Sequence, residues 1–334
     1  MKRPLASPRP QPTYWLALAW LGLLLGAGLL APWLPLPYAA ATPDLQHIAT
    51  PPEWGPGPTH YLGTDPLGRD VLAGLLAGAR RVLALSLPAV VLATVAGALA
   101  GAAAGFWGNR QLRVPTAAAL WALAATWWGL ALPGRALLCC LLGLAGLLSL
   151  ATWRLGPAAA RWRTVALPLD SLVLGLVTLL GAVPRLILLV ALVAGPPLTQ
   201  TQFLGVLVLL AWPETARLVR GQMLRVRAQP FIEAARAGGL PAGRIWWRHA
   251  LPHACRPLLA YAPLTLAGLI ALESSLAFLG LGQGPDKVSW GSQLASLRQD
   301  PSAWWVAIGP GVALLATLLA LQKLAATRQT AQNR

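Results

Sequence analysis

Apolar runs of bilayer length recur along this chain, and they leave it few ways to fold. Tyr14 to Pro35, Val82 to Asn109, Val114 to Pro133 and Ala136 to Trp153 carry no charged residue. Four more, from about Leu169 to Ala194, Thr199 to Val219, Leu258 to Gly280 and Ala303 to Leu321, carry at most two each. About 20 such residues cross a bilayer as a helix. Inside hydrocarbon every backbone N–H and C=O must find a partner within the segment, which excludes lipid-exposed irregular chain and open sheet edges. Charged residues make up only 11% of the sequence, against about 25% in soluble domains. The pattern predicts an all-α polytopic membrane protein of about eight spans.

A formal charge of +16 would suit a nucleic-acid partner, but its distribution argues otherwise. Nineteen of the 26 Lys and Arg fall in the termini and in alternate loops, eight of them between Arg217 and Arg256. Six fall in the opposite loops, and Arg185 lies inside a span. Such asymmetry orients a membrane protein with its basic loops in the cytoplasm. It places both termini and residues 220–257 inside, and it assigns the basic residues to lipid headgroups rather than to nucleic acid.

Residues 1–36 read as a tail and a first anchor. Ala39-Ala40-Ala41 imitates a signal-peptidase site, but the apolar run is longer than a signal core, so an uncleaved anchor is expected. The proline-rich stretch from 37 to 66 is an irregular outer loop ending in Gly63-Thr64-Asp65-Pro66-Leu67-Gly68-Arg69-Asp70. Asp65 as N-cap with Pro66 at the first helical position predicts the start of an interfacial helix running to 81. Asp65, Arg69 and Asp70 are read as structural residues. A core span occupies 82–109. Residues 110–167 hold two uncharged runs separated by Gly134-Arg135, a tight transmembrane hairpin. The remaining spans lie in 168–324, and 325–334 form a tail.

The most basic gap contains Glu233-Ala234-Ala235 and reads as helix, break, helix. Pro230 suits a first helical position, and Glu233 meets the positive end of the helix dipole one turn in. Gly238 and Gly239 stop that helix; Pro241 opens a second that ends by Pro252. Helices this short do not persist alone and need a surface to rest on and a groove to enter.

Glu233-Ala234-Ala235, Gly239 after a gap of three residues, and Leu251-Pro252 resemble the EAA loop of ATP-binding-cassette (ABC) importer permeases. GTDxxGRD at 63–70 is similar to the signature of the second permease subunit in dipeptide, oligopeptide and nickel importers. Trp212-Pro213 with the arginines that follow, Glu273 to Gly282, and Ser289-Trp290-Gly291 match the same family in order. The resemblance covers about 14–108 and 168–324, whereas 110–167 departs from it. It implies a type I importer transmembrane domain of six core helices, here with an extra, peripheral hairpin, in a bacterial inner membrane. It also implies a second permease, two ATP-binding subunits and an extracytoplasmic solute-binding protein as partners. ATP and Mg would sit on the ATPases and no cofactor in this chain, while Glu233 to Pro252 would dock into the ATPase as the coupling element.

Asp170, Arg185, Glu214 and Glu273 are the charges placed inside spans. An arginine after Pro184 departs from the family pattern. A charge in mid-membrane is expensive and normally faces a cavity or a partner. Arg185 either lines the pathway, favouring anionic groups, or pairs with Glu273 or with an acidic residue of another subunit. Glu273 is read as a helix-packing or cavity residue. There is no GxxxxGK[ST], so no P-loop. Cys139, Cys140 and Cys255 have neither disulfide nor metal spacing, and His47, His60, His249 and His253 sit in loops. No catalytic or metal site is expected, which disfavours a membrane enzyme. A proton-coupled secondary transporter using Arg185 and Glu273 is the remaining alternative, as is nickel in place of peptide.

Overall fold

Five helices are long and apolar enough to cross a membrane in the computed structural model, which describes residues 12–34, 38–53, 60–109, 113–115, 164–193, 198–281 and 287–332. They are α1 (Pro12–Leu30), α2 (Val71–Trp107), α5 (Gln200–Arg227), α8 (Leu258–Phe278) and α10 (Trp305–Gln332). Two shorter apolar helices, α3 (Leu169–Ala182) and α4 (Arg185–Val193), follow one another across a break. The expected hairpin falls almost wholly outside the described residues. Its flanks do not: β1 (Arg113–Pro115) pairs antiparallel with β2 (Thr164–Ala166), Val114 opposite Val165. The two ends of the expected hairpin are therefore held side by side.

Three expectations need correction. The helix predicted from Asp65 starts five residues later, because Gly68 at φ +77° turns the chain first. Asp70 is the N-cap, its Oδ1 accepting from Ala73 N at 2.7 Å, while Asp65 closes the preceding turn by accepting from Leu67 N and Arg69 N at 2.9 and 2.8 Å. The interfacial helix and the core span are not separate. α2 is one helix of 37 residues, about 55 Å long, well beyond the thickness of a 30 Å hydrocarbon layer. The run from Leu169 to Ala194 breaks at Val183-Pro184, where Val183 takes the extended backbone that a following proline imposes (φ −101°, ψ 131°).

Proline also explains the two places where the helical turn widens. Residues 82–86 and 245–250 form i→i+5 turns, with Leu87 N bonded to Val82 O and Leu251 N to Trp246 O. Pro88 and Pro252 follow immediately. In a regular helix each ring would strike the carbonyl four residues back, and a wide turn moves that carbonyl aside. Pro252 thus lies within the second short helix, which continues to Ala254, rather than at its end.

The most extensive helix–helix contact among the described residues is between α2 and α5. Gly97, Gly101 and Gly105 present one bare stripe of α2. A Cβ added at Gly101 would stand 2.2 Å from Ala216 O, and at Gly97 2.6 Å from Trp212 O. Membrane helices have no hydrophobic effect to drive them together and rely on such close backbone approach. Around this joint, α3 is tied to α5 by the Asp170–Arg220 ion pair, and α1 to α10 by Trp20 Nε1 donating to Thr317 Oγ1 at 3.1 Å. At the opposite end from the α2 C-terminus, α9 (Trp290–Ser296) packs beside the first half of α2. Its Trp290 ring covers Gly78 while Nε1 donates to Leu75 O at 2.9 Å.

Replacing Gly101 by Leu is expected to cost about 3 kcal/mol, the upper range for overpacking, because the obstacle is backbone. Gly26→Leu on α1, where nothing lies within 4 Å, serves as the control. Thermal unfolding in detergent should separate the two, with only Gly101→Leu lowering Tm or losing the monodisperse species.

Candidate functional site

The basic gap forms two short helices, α6 (Pro230–Ala237) and α7 (residues 242–254), laid against the C-terminal ends of α2 and α5. Ile232, Ile245, Ala250 and Ala254 bury one side of this pair against Phe106 of α2 and Met223 of α5. Glu233, Ala234, Arg236, Gly239 and Pro252 are left on the exposed side, with Ala235 and Leu251 half-buried behind them. Trp247 projects among them, 62% exposed.

The spacing from Ala235 to Gly239 has a geometric cause. Gly239 adopts φ +73°, its N–H bonds Arg236 O at 3.0 Å, and Leu240 N reaches back to Ala235 O at 3.2 Å. These are the paired bonds of a Schellman C-cap, in which the residue after the cap must be left-handed. Ala235 supplies the carbonyl, Gly239 the backbone, and Leu240 folds onto the apolar cluster beside Ala235. Side chains of α2 and α5 lock the assembly. Arg227 Nη1 donates to Phe106 O at 3.1 Å at the carbonyl end of α2, where a cation meets the helix dipole. Trp246 lies 5.0 Å from Trp107, ring centre to ring centre. His253 Nδ1–H donates to His249 O (2.8 Å) and the ring rests against Phe231, tying α7 back to α6. Burial raises the Cys255 thiol above its ordinary range, so it is not a ready thiolate nucleophile or ligand.

The intramembrane charges resolve into separate pairs. Arg185 meets Glu214, not Glu273, and Tyr261 donates its hydroxyl to Glu214 at 2.5 Å. This group lies at the break between α3 and α4 and borders two cavities, of about 210 and 310 Å³. Arg185 and Glu214 remain 46% exposed on the side of the bundle that carries these cavities. Glu273 is buried and accepts from Arg81 and from Ser86 Oγ (2.8 Å). Five residues apart, Arg81 and Ser86 would point about 140° apart on a regular helix. The wide turn at 82–86 brings them to one side, so one carboxylate serves both. Arg81 therefore belongs inside the bundle rather than in an outer loop. Sequence reasoning missed Glu214, Tyr261, Arg81 and Ser86 as partners, and no spacing in the sequence links them.

Comparison with known proteins decides the family. Residues 155–330, more than half of the chain, match the binding-protein-dependent transport system inner membrane component. The chain belongs to this family. It is 30% identical over 304 residues to the di/tripeptide transport system permease protein of Pseudomonas aeruginosa (strain UCBPP-PA14), covering 90% of this chain and 80% of that one. A protein of Brucella suis biovar 1 assigned as a peptide permease is 30% identical over 294 residues, 86% of this chain and 75% of its own length. The permease carries α6, α7, Arg185, Glu214 and Glu273 inside the matched region, and the 63–70 turn outside it. It is a multi-pass membrane protein.

Gly239→Ala in this permease should cost roughly 1–2 kcal/mol, the price of a Cβ in the left-handed region, although open space surrounds the position. Gly238→Ala, at φ −74° with its nearest neighbour at 3.4 Å, should be neutral. Hydrogen exchange at residues 236–240 reads the difference: faster in the first variant, unchanged in the second.

Proposed function

We propose that this chain forms half of the translocation pathway of an ATP-driven importer of peptides and couples it to cytoplasmic ATPases through α6 and α7. The observation that carries the reading is a solvent-facing ledge of Glu233, Ala234 and Trp247 on an element clamped to the inner ends of two spanning helices. A partner that moves this ledge moves α2 and α5 with it. Linkage then runs both ways, because the state that the ATPases prefer is the state whose helix arrangement they grip. The basic loops, including this ledge and both termini, lie in the cytoplasm. The remaining partners are a second permease, a second ATP-binding subunit and an outer solute-binding protein. Hydrolysis belongs to the ATPases, and the chain itself moves solute without covalent chemistry.

Peptide as the solute is supported by the relatives' names and by the Arg185–Glu214 pair. A free peptide carries one carboxylate and one ammonium, and an exposed guanidinium beside an exposed carboxylate offers a partner to each. Glu273 is spoken for by Arg81 and Ser86 and is given a packing role.

The test is co-expression of the tagged chain with its neighbouring genes, as wild type and as Glu233→Lys. Wild type should bring down an ATPase with ATP turnover, and the lysine variant should lose the ATPase or its turnover. Wild type purifying alone, while moving solute in vesicles without ATP, would return the assignment to a secondary transporter.

A further inference from the structure

The outer turn at 63–70 gathers a carboxylate and two imidazoles from a loop in which no ligand spacing was expected. His47 Nδ1 lies 2.9 Å from Asp44 Oδ2, and His60 Nε2 lies 3.5 Å from the same oxygen. The three ligand atoms fall within 4.8 Å of one another. Four-coordinate zinc with bonds of about 2.0–2.2 Å separates its ligands by roughly 3.3–3.5 Å, so little movement is needed.

The surroundings hold these groups as a metal site holds its ligands. His60 is buried, and its Nδ1 is 2.8 Å from Asp70 Oδ2. Asp70 Oδ1 is occupied by the Ala73 N–H that begins α2. A carboxylate only accepts, so Nδ1–H donates to Asp70 and Nε2 is the ring nitrogen that faces Asp44. Nε2 stands 3.5 Å from Asp44 Oδ2, close enough for one cation to reach both atoms. A carboxylate behind a ligating histidine is the recurrent outer partner in such sites. Tyr38 stacks on the His60 ring at 3.9 Å. Asp44 is pinned through its backbone: its N–H bonds Gly68 O at 2.7 Å, and a Cβ on Gly68 would stand 2.4 Å from Asp44 O. Gly68 and Asp70 of the 63–70 turn thus position two of the three ligands.

We propose that Asp44, His47 and His60 bind one divalent ion of the zinc type, with Asp70 as a positioning residue and a fourth position open to water. Imidazole and carboxylate donors suit zinc, cobalt and nickel and disfavour magnesium or calcium. The ion would fasten residues 38–53 to the start of α2.

The experiment uses the full chain carrying a tag without histidines, purified in detergent and stripped with chelator. Zn²⁺ is then titrated against a chromophoric competitor, and Co²⁺ is added separately for its visible spectrum. Wild type should take up one ion per chain and give the intense bands of four-coordinate cobalt. His47→Ala, at a half-exposed position, and Asp44→Asn should abolish that uptake, and Asp70→Asn should weaken it about 10–100-fold. A variant lacking both His249 and His253 should bind as wild type does. Absence of a saturable site in wild type, or a site that survives His47→Ala and Asp44→Asn, overturns the proposal. Should the variants aggregate, wild-type Tm decides: a rise with Zn²⁺ that chelator reverses supports the site, and no rise overturns it.

Discussion

The contact on which the rest depends is the bare approach of α2 to α5. In lipid, two apolar helices gain nothing by hiding from solvent, so their association rests on how closely their backbones meet. Gly97, Gly101 and Gly105 provide that closeness, and the consequences run to both ends of the pair. At the inner end, Phe106, Val219 and Met223 are brought together as the floor on which Ile232 and Ile245 sit. Without that floor, α6 and α7 are short peptides with no reason to be helical. At the outer half, the same helix presents Arg81 and Ser86 to Glu273 of α8.

Two widened turns serve this arrangement. Each accommodates a proline, and each changes which residues share a face. Around 82–86 the result is a buried carboxylate held by two donors instead of one. A buried glutamate and arginine repay their desolvation only when the remaining hydrogen-bonding capacity is met, and Ser86 helps to meet it. Around 245–250 the result is that Ile245 and Ala250, five residues apart, both face the inner cluster while Trp247 faces outward.

The long apolar helices and the two-helix form of the basic gap were legible because hydrophobic run length and Pro/Gly punctuation act locally. The failures mark where local chemistry offers equal choices. Asp65 and Asp70 are both sound N-caps, and the decision rests on Gly68, whose left-handed turn is enforced by Asp44, 24 positions earlier. Three acidic residues were placed inside spans with Arg185, the sequence reading named Glu273, and only the tertiary placement of α5 brings Glu214 to it instead. The glycine stripe of α2 is visible in the sequence at spacing four, but which helix it faces is not. The Asp44–His47–His60 cluster spans 17 residues of proline-rich loop and follows no ligand pattern that periodicity could reveal.

Coupling, in this account, is a matter of stiffness: the ledge that a partner grips must not slide on the helices it moves. Trp246 against Trp107 is the contact that carries this most directly, since it joins α7 to the last turn of α2. The decisive measurement is the number of peptides moved per ATP hydrolysed by the reconstituted importer, for wild type and Trp246→Ala. The account predicts that the variant still binds its ATPase and still hydrolyses ATP, while the peptides moved per ATP fall severalfold. An unchanged ratio with the indole gone would contradict it.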